Sequence, residues 1–160
     1  MATSSMLGVL LLLFFTQLGS SLFTKETNVA AGSRIEMEAN GRNYSVFRAA
    51  VGIAEADQEC LNQGKHLVDF NEEGEYLAIQ AALFEAGLER SWYWTAARKD
   101  AKKQVWYWET TGETITDYFW LPGEPSNDTS NDYCMRFDVS VGGWLDDPCD
   151  TNFLVGYICE

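Results

Sequence analysis

Gly142-Gly143-Trp144-Leu145-Asp146-Asp147-Pro148-Cys149 is the stretch on which the reading of this chain turns. Gly143 to Leu145 is short and apolar enough for a strand, and it delivers two carboxylates before a proline and a cysteine stop it. Upstream, Tyr133 to Val139 reads as a partner strand. Before that, Thr116 to Asp132 holds Pro122, Gly123, Pro125 and many Asn, Asp and Ser residues, so it reads as a long loop without regular pairing. Loops of that length usually serve a function. Together these segments gather side-chain oxygens at Glu124, Ser126, Asn127, Asp128, Asn131, Asp132, Asp146 and Asp147. Hard oxygen donors suit calcium, which takes about six to eight of them, and a loop can bend to present them. The competing reading is a solvated acidic loop.

Further from that stretch, Ser91 to Ala97 and Gln104 to Glu109 are dense in Trp and Tyr and flank the polar Arg98 to Lys103, which predicts two strands and a turn. Phe153 to Cys159 predicts the last strand. A first helix is predicted from Phe47 to Leu61, on the spacing of Phe47, Ala50, Val51, Ala54 and Leu61, with Asn62-Gln63-Gly64 as its stop. His66 to Phe70 predicts a short strand. Asn71 then caps a second helix, with Glu72, Glu73 and Glu75 at its positive end, Leu77, Ile79, Ala81 and Phe84 as its apolar surface, and Gly87 as its end. Gly74 inside that helix carries a mild cost.

The N-terminus reads as a routing signal. Met6 to Phe15 is an apolar run too short to cross a bilayer, followed by Gly19 and Ser21 at the spacing signal peptidase accepts, although no Lys or Arg precedes it. The expected organisation is a signal peptide at 1–21, a short mobile leader at 22–40 and a single domain at 41–160. Secretion gives meaning to two glycosylation sequons, at Asn43 and Asn127. It also makes the even set Cys60, Cys134, Cys149 and Cys159 a disulfide framework, for which the sequence leaves three pairings open.

Composition narrows the function. The 160 residues are 46% hydrophobic, enough for a substantial core. Eleven Lys and Arg against 24 Asp and Glu give a net charge of −13, which opposes nucleic-acid binding. No second apolar run follows the signal, so no stable membrane insertion is expected. His66 is the single histidine, and no nucleophile with a base or water-activating metal site is legible, so no catalytic residues and no enzyme are expected. His66 itself reads as an ordinary surface or half-buried residue. Trp92, Trp94, Trp106, Trp108, Trp120 and Trp144 read as core, with Trp120 and Trp144 bracing the loops, in preference to a stacking platform for sugars. Arg98, Lys99, Lys102 and Lys103 read as a solvated turn, with a contact for anionic ligands as the alternative.

Four segments in order, Trp120-Leu121-Pro122-Gly123-Glu124-Pro125-Ser126, Asp132-Tyr133-Cys134, the Gly142 to Cys149 stretch, and Tyr157-Ile158-Cys159-Glu160, resemble a C-type lectin-like domain of the short form from about Gly41 to Glu160. The resemblance implies an α+β fold of two helices and a small antiparallel sheet with a long loop region. It also implies two disulfides, Cys60 with Cys159 and Cys134 with Cys149. Trp94-Thr95-Ala96 stands where the family usually has Trp-Ile-Gly. In sugar-binding members one calcium is held by a Glu-Pro-Asn type motif, an acid before the first inner cysteine and a Trp-Asn-Asp motif. Carried over, Glu124, Asp132 and Asp146 keep carboxylates, Ser126 replaces an amide, and Leu145 offers no oxygen. The implied metal ligands are Glu124, Ser126, Asp132 and Asp146, with Glu124, Ser126 and Asp132 also contacting sugar. The family's auxiliary calcium site is expected to be absent, with Arg98, Lys102 and Tyr133 near positions that would need acids. The expected function is a secreted, calcium-dependent lectin for glycans on microbial or cell surfaces, with carbohydrate or glycoprotein partners. The alternative is a non-sugar protein-interaction or extracellular-matrix module whose calcium site has decayed.

Overall fold

The computed structural model describes residues 32–71, 74–89, 91–116, 119–126, 133–151 and 155–160. The domain begins earlier than Gly41. Arg34–Ala39 forms strand β1, paired antiparallel with β2, Arg42–Phe47, so the second half of the expected leader belongs to the sheet. Alternation explains it: Ile35, Met37 and Ala39 pack toward the core while Arg34, Glu36 and Glu38 face water. Asn40 and Gly41 join the strands with φ of 51° and 75°, the pair of left-handed residues that a two-residue hairpin turn requires.

Helix α1 covers Ile53–Leu61, shorter than the predicted 47–61. Phe47 is claimed by β2, where it pairs with Tyr157 and stacks on its ring at 4.5 Å. The buried face of α1 is Ile53, Ala56 and Cys60, while Leu61 is exposed. Helix α2 is Glu75–Glu85. Its N-cap is Gly74, at φ +80°, in place of Asn71, because a left-handed residue cannot lie within a right-handed helix. Glu75, Ile79 and Leu83 point inward, whereas Leu77 and Phe84 face solvent.

Strands β3 (Trp92–Asp100) and β4 (Val105–Trp108) form the expected antiparallel pair. Because β3 runs on to Asp100, Arg98 is a strand residue: its guanidinium, 11% exposed, binds Asp57 at 2.6 Å and Glu109 at 3.0 Å and leaves the basic turn to its neighbours. β5 (Cys134–Asp138), β6 (Gly143–Asp147) and β7 (Val155–Cys159) complete a sheet ordered β1-β2-β7-β3-β5-β6, with β4 on β3. The sheet is mixed, since β3 and β7 run parallel. The His66–Phe70 segment makes a single bridge, Leu67 to Cys159, and threads between sheet strands: Val68 N–H donates to Ile158 and its carbonyl accepts from Ala96. Both disulfides, Cys60–Cys159 and Cys134–Cys149, are formed. The core lies between the sheet and the helices, where Trp94, Tyr93, Phe137, Met135 and Ile158 are fully buried.

Candidate functional site

Trp144 organises the site. Its indole, 1% exposed, is stacked on Phe70 at 5.9 Å and met edge-on by Trp108, Phe119 and Trp120. Its backbone holds the long loop: Trp144 N–H donates to Phe119 at 2.8 Å, and Leu121 N–H donates to Trp144 at 3.0 Å. The loop therefore runs alongside β6 as far as Leu121. Gly143 allows that approach, because a Cβ there would run into the Leu121 side chain. Leu121 to Glu124 then closes a turn, the Glu124 N–H donating to Leu121 at 2.8 Å, with Pro122 and Gly123 at its centre. Gly123 has φ +90°, a conformation glycine adopts without strain. The next peptide bond, Glu124-Pro125, is cis.

This reversal places Glu124 and Ser126 over Asp146. The Ser126 N–H donates to Asp146 Oδ1 at 2.8 Å and to Glu124 Oε2 at 3.1 Å, and its hydroxyl reaches Asp146 Oδ1 at 3.1 Å. The Glu124 carboxyl holds its proton more tightly than an ordinary glutamate, first because of desolvation and then because it hydrogen-bonds the Asp146 carboxylate. Two carboxylates face each other across a serine, an arrangement that a proton or a metal cation stabilises.

Of the four sequence-derived ligands, Glu124, Ser126 and Asp146 are together, and Asp132 lies outside the described residues, as do Asn127, Asp128 and Asn131. Leu145 points away. In the β5–β6 register Leu145 opposes Arg136 and Asp146 opposes Met135, and neighbours along a strand face opposite sides. On the Leu145 side, Asp147 pairs with Arg136 at 3.4 Å, and Arg136 covers the Trp92 ring at 4.4 Å. Asp147 is thus tied into the other face of the sheet. Cys134 opposes Asp147, and its bond to Cys149 ties the two flanks of the site together.

A second carboxylate cluster escaped the sequence reading. Glu75, fully buried at the start of α2, accepts from the Tyr44 hydroxyl at 2.8 Å and from Arg42 at 3.0 Å. Burial, followed by the Glu75 contact, pushes the Tyr44 phenol well above its usual range. Arg42 also lies 3.6 Å from Glu160. The available signal was Glu160 itself, an acid directly after the apolar strand ending in Cys159.

A family model for the lectin C-type domain matches residues 50–160. The mouse protein C-type lectin domain family 4 member K is 30% identical over 131 residues, covering 76% of this chain and 36% of that protein. Human E-selectin is 28% identical over 118 residues, 70% of this chain and 18% of the relative, so this chain spans about a third or less of either protein's length. In fold, a calcium-independent type II antifreeze protein superposes with a TM-score of 0.62 at 23% identity, covering 79% of this chain and 94% of that one. The lectin motifs, the two nested disulfides and the match over residues 50–160 agree, and the chain belongs to the C-type lectin domain family.

Proposed function

We propose that this chain is a secreted lectin that recognises carbohydrate through a calcium ion held by Glu124, Ser126, Asp132 and Asp146. The observation that carries this reading is the Glu124–Asp146 pair, two carboxylates brought into hydrogen-bond contact and bridged by Ser126. A hard divalent cation suits that donor set, since it relieves the repulsion that otherwise keeps a proton between them. When bound, calcium supplies coordination positions for two adjacent sugar hydroxyls. Glu124 and Asp132 would accept hydrogen bonds from those hydroxyls, and Ser126 would contribute a hydroxyl where an amide would have offered two donors. The Trp144 aromatic cluster holds Phe119 and Trp120 against β6, so that Glu124 and Ser126 need not be ordered at each encounter.

A non-sugar protein-interaction or matrix role is the second reading, and Leu145 is the observation in its favour. With Leu145 turned to the Arg136 face, β6 offers one carboxylate to the loop where an Asn-Asp pair would offer two oxygen-bearing side chains. The name of the antifreeze protein above states that it is calcium-independent, so the fold is compatible with that outcome.

Calorimetric titration of calcium into the oxidised chain after chelator treatment separates the two. The lectin reading expects one saturable event, abolished by Asp146→Asn, followed by calcium-dependent retention on a glycan array. Silence up to about millimolar calcium, the weak end of extracellular sites, gives the protein-interaction reading its place. Leu145→Asn with Ser126→Asn should tighten binding if the natural site is merely short of ligands. For secretion, expression in eukaryotic cells should put the chain in the medium, cleaved near Ser21. A glycosidase-sensitive mass would mark Asn43, exposed on β2, or Asn127 as glycosylated.

A further inference from the structure

We propose that His66, Asp69 and Glu160 form a separate metal site, at the β7 end of the domain, that takes a borderline divalent transition ion such as zinc. One ligand atom from each of the three lies within 4.8 Å of the others. The backbone holds them in place: His66 and Glu160 exchange both of their hydrogen bonds, N–H to carbonyl at 3.1 and 3.0 Å, as a closely bonded antiparallel pair does. Asp69 N–H donates to Glu160 Oε1 at 2.8 Å, and the Thr110 hydroxyl donates to the Asp69 carboxylate. Such supporting donors orient the carboxylate ligands of metal sites. The imidazole is half exposed; its Nδ1 lies 3.0 Å from the Leu67 carbonyl and 3.8 Å from Glu160 Oε1, so a ring that turns from that carbonyl presents a nitrogen to an ion and leaves the remaining coordination position to water.

Charge points the same way. Asp69 is 4% exposed, the Glu160 side chain 8%, and Glu75 beside them is fully buried; Arg42 is bonded to Glu75 and lies 3.6 Å from Glu160. Carboxylates buried this close together are stabilised by a cation between them. An imidazole with two carboxylates favours zinc over calcium, which prefers oxygen donors alone. This site shares no residue with the Glu124–Asp146 cluster and does not depend on it.

The test is titration of zinc into the oxidised, chelator-stripped chain in competition with a chromophoric chelator. One equivalent should bind, millimolar calcium should not displace it, and Asp146→Asn should leave it unchanged. His66→Ala, at an exposed ring, and Glu160→Gln should each weaken it by about tenfold or more, with near-ultraviolet circular dichroism verifying the fold. Absence of a one-equivalent event, retention of full affinity in His66→Ala, or loss in Asp146→Asn would overturn the assignment.

Discussion

The two carboxylate clusters of this domain solve the same electrostatic problem in opposite ways. At the β6 edge, Glu124 and Asp146 are bridged by the amide and hydroxyl of Ser126. At the β7 end, Glu75 and Glu160 close on Arg42, and Tyr44 adds a second donor to Glu75. The first cluster sits on an irregular loop held to the sheet by turn chemistry and aromatic contacts around Trp144; the second is built on paired strands and a helix start. Donors that are neutral leave a carboxylate pair able to accept a cation, whereas a fixed guanidinium spends part of that capacity on the fold. The difference teaches that acid content alone does not mark a binding site, and that what neutralises the acids decides how much of their charge is left for a ligand.

Substitutions can break this contrast. Glu75→Ala should have the largest effect, about 3 kcal/mol lost in urea unfolding, because it strands the buried Tyr44 hydroxyl and removes the Arg42–Glu75 ion pair. Next comes pH dependence in the presence of chelator. The Glu160 pKa stands at about 7 in the folded chain against 4.5 for the ordinary side chain, so the folded state binds the proton more tightly. That contribution is present in full below pH 4.5 and is lost as pH rises through 7. Thermal unfolding should therefore reveal about 2 kcal/mol less stability at pH 8 than at pH 5 from this group, and Glu160→Gln should flatten the slope.

Smaller effects sharpen the comparison at the other cluster. Gly143→Ala should cost about 1 to 2 kcal/mol, since its Cβ meets the Leu121 side chain, and should weaken calcium binding by displacing the loop; paired urea and calcium titrations measure both. Asp146→Asn should change stability by less than about 1 kcal/mol, removing a like-charge contact while keeping an acceptor for Ser126, yet abolish calcium binding. An Asp146→Asn cost equal to that of Glu75→Ala would erase the distinction between the two regions.

The loop-side site was legible because its signals are local. Pro122-Gly123 writes a turn, Trp144 writes a buried strand, and Glu124 and Asp146 stand in segments whose order carries the family resemblance. The β3–β4 pair and the closing strands were equally plain from their aromatic and apolar content. Asn40-Gly41 was an equally direct hairpin signal, flanked by an alternating strand, but the polar half of Arg34 to Ala39 masked the pattern. Helix boundaries failed where tertiary pairing claimed residues that helical spacing also fits, as at Phe47, or where a left-handed glycine moved the start, as at Gly74. The β7-end cluster was hidden for a different reason. Glu75 and Glu160 are two of 24 acids in a chain of net charge −13, and burial of an acid depends on contacts as distant in sequence as Arg42 and Glu75.

The sheet order has a practical outcome for display. β1 occupies one margin of the sheet and β6, with the loop held against it, occupies the other. A linker, label or surface anchor joined ahead of β1 would hang from the margin remote from Glu124 and Asp146, leaving that face clear. Many copies could be mounted side by side with their loops outward, the geometry by which weak single contacts add up to firm adhesion.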